Sequence, residues 1–259
     1  MKEFTLVILQ ARMSSSRLPG KVMTLINGEP MIFWQIERIK AARSIDQIIV
    51  ATSSDQSDDS LAHFLASKGI EVFRGSRDDV LSRFLEIDSK VQPSTIVRLT
   101  GDCPLVMPKL IDSMVKRFYL SDCDYLSNTL EPTFPDGLDV EIFQSSALKR
   151  LASFDLSLTE REHVTLGMYS RPSHFVLQSF QNDQNFSNKR WTVDYVEDLI
   201  FVTNVYKHFV GRELKFSFED VMSVLADNPG LVSAISGERR NEKTKNLVGS
   251  PKGERDEIL

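Results

Sequence analysis

The stretch FTLVILQARMSSSRLPGK, Phe4 to Lys21, decides how the whole chain is read. Thr5 to Leu9 is a short apolar, β-branched run of the kind that forms a buried strand. It breaks at once into a loop with two arginines, three serines, a Pro-Gly pair and a lysine. In an open α/β sheet, ligands bind beyond the carboxyl ends of the strands, so a cationic, hydroxyl-rich loop after the first strand is placed to cradle phosphate. Arg12, Arg17 and Lys21 can each bring a full charge, and Ser14, Ser15 and Ser16 are small enough to leave backbone N–H groups open to close approach. The loop fits neither of the two commonest phosphate motifs. A P-loop would need Gly at Ser15 and Ser or Thr at Val22, and Gly-x-Gly-x-x-Gly is absent, so ordinary ATPase and dinucleotide-binding classes lose their support. The competing reading is a solvated basic surface loop.

Composition bounds the remainder. At 259 residues, 41% hydrophobic and 26% charged, the chain suits one large α/β domain, here taken as residues 1–235, with a polar tail over 236–259. A net charge of −5 argues against a nucleic-acid partner, since such proteins neutralise many phosphates with a basic face. Cys103 and Cys123, the only cysteines, form neither a disulfide framework nor a zinc motif, which suits a reducing, cytoplasmic setting. No apolar run approaches the ~20 residues of a membrane span, and Leu6 to Leu9 is too short for a signal segment.

Beyond the loop, the pattern alternates. Asn27-Gly28 marks a turn, and Pro30 to Ala42 places Ile32, Phe33, Ile36 and Ile39 on one helical face. Strands are predicted at 45–52, 70–74 and 95–100, with helices at 60–68, 80–89 and 110–120, a βαβ rhythm that implies a mostly parallel sheet flanked by helices. From Asp124 the rhythm loosens into a mixed α/β excursion. Residues 138–143 alternate as a strand, 145–152 and 158–169 read as helices, and 174–180 and 190–193 as strands. A closing helix at 196–209 is followed by a short strand and helix over 216–228.

Carboxylates complete the chemistry. Asp102, in Gly101-Asp102-Cys103-Pro104, ends the strand over 95–100, where it would meet the same crevice as the first loop. A triphosphate carries about four negative charges, and Mg²⁺ usually joins it through one or two carboxylates plus phosphate oxygens and water, which makes Asp102 a metal-ligand candidate. Its competing role is a helix N-cap. Asp194, in RWTVDYVEDL, is the best second ligand, with N-capping and a substitute ligand at Asp198 as alternatives. Asp136, Asp139 and Glu141 crowd into six residues, which a binding role explains better than a solvated face. Arg161 and His163 could hold a carboxylate, or could sit on a solvated helix face. Arg98, a charge inside an apolar strand, either reaches the crevice or pairs within the sheet with a carboxylate such as Asp124. Gln10, the backbone at Ala11, and Ser53, Ser76, Arg77 and Thr100 at strand ends are candidate nucleotide contacts.

The run LQARMSSSRLPGK resembles the signature loop of the sugar nucleotidyltransferases that load CTP onto acidic sugars, most closely the branch of spore coat polysaccharide biosynthesis protein F. The likeness extends over about residues 6–199. It implies a Rossmann-like nucleotidyltransferase fold, CTP as the nucleotide, Mg²⁺ held by Asp102 and Asp194, and phosphates handled by Arg12, Arg17 and Lys21. It also implies an acidic sugar bordered by the segment from Asp136 to Glu141, and a homodimer. Ser14-Ser15-Ser16 departs from the Gly-Ser-Thr common in that family, and serine restricts positive φ. The alternative class is a metal-dependent glycosyltransferase, for which Asp122-Cys123-Asp124 formally offers the Asp-x-Asp motif, or a non-catalytic nucleotide-binding domain.

Overall fold

A computed structural model describes residues 3–231, so the tail over 236–259 and the boundary before it lie outside the described residues. The chain runs through β1 (Thr5–Gln10), a hairpin of β2 (Leu25–Ile26) and β3 (Glu29–Pro30), α1 (Met31–Lys40), β4 (Gln47–Ser53), α2 (Asp59–Ser67), β5 (Glu71–Gly75), α3 (Val80–Val91), β6 (Thr95–Thr100) and α4 (Pro108–Tyr119). It continues through β7 (Tyr125–Ser127), β8 (Glu141–Gln144), α5 (Ser145–Leu151), α6 (Leu158–His163), α7 (Leu166–Tyr169), β9 (Leu177–Ser179), α8 (Val196–Lys207) and α9 (Phe218–Asp227).

β1 is buried through Leu9 because it is paired in parallel on both edges, by β4 and β6, and covered on both faces. Strand side chains alternate. Val7 and Leu9 therefore join the core with Ile32 and Ile36 of α1, Ile111 and Met114 of α4 and Val202 of α8, whereas Leu6 and Ile8 meet Leu81 and Phe84 of α3 and Leu148 of α5. The seven-stranded sheet has the order β5-β4-β1-β6-β8-β7-β9. Its first four strands are parallel, and β8 then runs antiparallel to both β6 and β7. The chain moves outward from β1 through β4 to β5, then returns to the other side of β1 with β6. The strand order thus reverses beside β1, where α/β sheets open a ligand crevice.

Four expectations of the second half are corrected. The helix over 158–169 is two helices, parted by Val164 at φ 51, ψ −73, which a helix cannot include. Residues 190–193 form only an isolated bridge between Asp136 and Arg190, because Trp191 and Thr192 donate to Asp136 O and Val193 donates to Asp102 O. The strand over 138–143 is ordered as β only from Glu141: the Asn128 side chain donates to Leu138 O and accepts from Val140 N, replacing a ladder. Before α9 there is no strand. Phe216 instead stacks on Phe209, under the buried Arg38 guanidinium.

Candidate active site

A cleft of about 800 Å³ opens where β1 and β6 end. Two glycine-dependent approaches shape it. Gly101 donates to Gln10 O at 2.8 Å, and a Cβ there would stand 2.8 Å from that of Ala11, so the turns after β1 and β6 touch. Gly137, at φ 104, packs against the segment carrying Trp191 and Thr192; a Cβ would stand 2.3 Å from Thr192 N. Gly137→Ala is therefore expected to destabilise the protein by about 3 kcal/mol, read in thermal unfolding as a fall of roughly 10 °C.

The signature loop is tied down by a residue the motif does not contain. Asp58 is fully buried; it accepts from Met13 N at 2.7 Å with one oxygen and from Thr52 Oγ1, Ser53 N and Ser53 Oγ with the other. Ser53 thus positions Asp58 and does not line the cleft. Gly20, at φ 73, turns the chain into a short 3-10 segment that starts with Lys21 and carries its side chain inward. Ser14 does not adopt positive φ, so the loop closes without a glycine at that place.

At the centre stands the Lys21 ammonium, donating to Asp102 Oδ2 at 3.1 Å, Val193 O at 2.7 Å and Asp194 Oδ1 at 2.9 Å. Asp102 is fixed further by Thr100 Oγ1 at 2.6 Å, and Asp194 by Arg17 at 2.6 Å. Arg190 closes the cluster: its guanidinium reaches Asp136 at 3.0 Å, Asp194 at 2.8 Å and Asp198 at 3.1 Å. Asp198 is buried and also accepts from Asp194 N and Tyr195 N, so its oxygens serve the start of α8 and Arg190. Sequence reasoning missed Arg190 and Asp58; the spacing of Arg190 four residues before Asp194 was the available signal.

Electrostatics follow from these contacts. Burial alone would raise the Asp194 carboxyl, but Lys21 and Arg17 outweigh it and bring it down to about 2. Burial also opposes the charge on Asp102, and Lys21 overcomes it, leaving that carboxyl below its ordinary value. A carboxyl lowered on folding stabilises above its unfolded value and loses that contribution as pH falls through its folded one. The metal-free protein is thus expected to lose Asp194-linked stability between pH 3.8 and about 2, and a thermal-melt series should show a shallower acid decline for Asp194→Asn.

The other end of the cleft is built on β6, β8 and the break after α6. Arg98 pairs with Glu141, correcting the suggested partner Asp124, and also donates to Gln10 Oε1 at 3.2 Å. Glu141 in turn accepts from Tyr125 Oη at 2.6 Å and Thr165 Oγ1 at 2.5 Å. Asp139, His163 and Tyr169 line this end. Burial lowers the His163 imidazole below its ordinary value, which keeps it neutral near pH 7. Arg12, at the rim, stands 3.8 Å from Glu162. Ala11 lines the cleft, whereas Ser14, Ser76 and Arg161 do not. Ser76 caps Asp79 N, and Arg161 is held by Asp79 at 2.9 Å. Asp124, at the start of β7, pairs with Arg150 and accepts from Val176 N, away from the cleft, so the Asp-x-Asp alternative has no metal pair there.

Two carboxylates sharing one ammonium is the geometry a divalent cation would use, so Asp102 and Asp194 fit Mg²⁺ as its protein ligands. Among the described residues no cluster of three or more metal-binding side chains is found. No helix there is long and apolar enough to cross a membrane.

Known proteins share this architecture. The sequence profile described as "Cytidylyltransferase" matches residues 6–215. Over 231 residues the chain is 32% identical to spore coat polysaccharide biosynthesis protein SpsF of Bacillus subtilis (strain 168), covering 86% of this chain and 95% of that one. The solved structure of a cytidylyltransferase from Leptospira borgpetersenii serovar Hardjo-bovis (strain JB197) superposes with a TM-score of 0.83 at 31% identity, over 90% of this chain and 98% of that one. The structure of CMP:2-keto-3-deoxy-manno-octonic acid synthetase complexed with CTP shares the fold, with a TM-score of 0.62 at 16% identity, over 80% and 99% of the two chains.

Proposed function

The chain belongs to the cytidylyltransferase family, and from that premise we propose that it transfers CMP from CTP to a small acidic sugar with release of pyrophosphate. The observation that carries this reading is the Lys21 ammonium seated between Asp102 and Asp194 beneath the signature loop, which gathers a cation-binding pair and a phosphate-binding lysine at one point. An acceptor hydroxyl oxygen attacks the α-phosphorus: a new P–O bond forms, the bond from the α-phosphorus to the oxygen bridging to the β-phosphate breaks with its electron pair leaving on pyrophosphate, and the hydroxyl proton is released to solvent.

Catalysis of this kind depends on alignment and charge neutralisation more than on a protein nucleophile. Arg12 and Lys21 neutralise the α- and β-phosphates, and Arg17 assists the leaving group. Asp102 and Asp194 would hold Mg²⁺, which would supply positive charge against the phosphates and make the acceptor hydroxyl more acidic. Lys21 is pre-positioned to exchange its carboxylates for phosphate oxygens. Gln10, Ala11 and Thr100 border the nucleotide. At the acceptor end, Arg98, Asp139 and Glu141 present a paired cation and acceptors for sugar hydroxyls, and neutral His163 adds a hydrogen bond. A carboxylate on the sugar suits Arg98, whose Nε has no hydrogen-bond partner among the described residues.

The test is pyrophosphate release from each of the four nucleoside triphosphates with Mg²⁺, across a panel of ulosonic acids, neutral sugars and sugar phosphates. Release with CTP and an acidic sugar alone supports the reading; release only with a neutral or phosphorylated acceptor overturns its acceptor half.

A further inference from the structure

Val164, between α6 and α7, holds a backbone conformation that its residue type resists. At φ 51 and ψ −73 it lies beside the γ-turn of positive φ, centred at about +75° and −65°, which is rare and strained. A side chain branched at Cβ adds to the strain. The other non-glycine residues of positive φ among those described are Asn27 and Gln92, neither branched at that carbon. Burial keeps the turn: Val164 is 0% exposed and belongs to the apolar core that includes Phe84, Leu148 and Met168. A second local preference is broken one residue on. Thr165 stands at the N-cap of α7, where a threonine hydroxyl ordinarily accepts from the first N–H groups of the helix, yet it makes no such bond. It donates instead to Glu141 Oε1, and stands 3.4 Å from His163 O across the turn.

Two broken preferences side by side are expected where a site, rather than local stability, sets the geometry. The turn sends Val164 into the core, while His163 and Thr165 on either side of it line the cleft. The His163 side chain has no hydrogen-bond partner among the described residues, so the turn, rather than a polar contact, aims its ring. Burial first, with the positive charges of Arg98 and Arg12 and against Glu162 and Glu141, keeps that ring below its ordinary value. Thr165 reaches further. Glu141 accepts from Thr165 and Tyr125 on one oxygen and pairs with Arg98 through the other, so the turn also fixes the carboxylate that holds Arg98. Lys21, Asp102 and Asp194 form a separate hydrogen-bonded cluster that includes none of these residues.

We propose that Val164 is a positioning residue for the acceptor: its buried side chain locks a strained turn that aims His163 and Thr165 at the substrate, while the nucleotide end is set independently. The inference rests on reading this end of the cleft as the seat of an acidic sugar. The test joins kinetics to nuclear magnetic resonance of the His163 ring, assigned among the four histidines by its loss in His163→Gln. Val164→Gly removes both the strain and the lock, so the chain should still fold while the turn loses its aim. In that variant KM for the acidic sugar is expected to rise about tenfold, with CTP affinity within about twofold of wild type. His163 should titrate higher there, as its ring leaves a buried seat. Val164→Ala, which keeps the strain and part of the lock, should raise KM about threefold. An unchanged acceptor KM, an unchanged His163 titration, or equal losses for sugar and CTP would each overturn the proposal. Should neither variant fold, the wild type decides: a saturating acidic sugar that shifts the His163 signal supports it, and one that leaves the signal unmoved contradicts it. A wild type that turns over no acidic sugar refutes the underlying reading, and the His163 titration, which needs no substrate, then still decides on the turn.

Discussion

Lys21→Ala is expected to lower kcat/KM for CTP-dependent pyrophosphate release by about a thousandfold, the scale seen when one buried charge-stabilising donor is removed from a transition state. The effect should fall mainly on kcat, because charge on the bridging and leaving oxygens grows as the bond to the β-phosphate breaks. The fold should survive. Asp194 keeps Arg17 and Arg190, and Asp102 keeps Thr100 Oγ1, so neither carboxylate is stranded. Lys21→Arg should not restore activity, since a planar fork cannot occupy the seat of a compact ammonium between Asp102, Val193 O and Asp194. Steady-state kinetics with a thermal melt checks this; a variant within tenfold of wild type would remove Lys21 from the chemistry.

Arg190→Met is expected to have the largest effect on stability, about 3–5 kcal/mol, or a fall in Tm of roughly 10 °C. One guanidinium bridges Asp136, Asp194 and Asp198, and its side chain is only 10% exposed, so solvent screens these contacts little. Deleting it leaves three carboxylates close together, with Asp198 still committed to capping α8. Arg190→Lys should recover little, because an ammonium cannot reach all three. Activity should fall with stability, since Asp194 loses the partner of its second oxygen. A Tm within 2 °C of wild type, on the scale of an exposed ion pair, would show that this cluster is not what orders the segment.

The legible and illegible parts of the site differ in sequence range. The strand-loop at 5–21 and the turn at Gly101-Asp102 are local: a buried strand, then a change of composition, places their side chains at the strand ends whatever lies elsewhere. Lys21 and Asp102 are legible for that reason; Asp194 is not, because no strand forms over 190–193, and its contact with Lys21 depends on the whole fold. Asp58 was hidden because a polar run of serines and aspartates has no period, and its role comes from burial beneath Met13. The segment over 190–193 looked like a strand, yet its N–H groups go to turns at Asp136 and Asp102. The helix over 158–169 failed at one residue: Val164 is apolar and fits the helical period, but its positive φ breaks the helix between His163 and Thr165, both of which line the cleft. Arg161 illustrates the opposite error, since a charge pattern says nothing of a partner 82 residues away at Asp79.

The most direct measurement follows a label on the α-phosphate of CTP through the reaction with an ulosonic acid and Mg²⁺. The label is expected to move into the sugar product as CMP, with one unlabelled pyrophosphate released per product. Label recovered only as free CMP or CDP, or retained in CTP across all acidic acceptors while another acceptor class reacts, would contradict it.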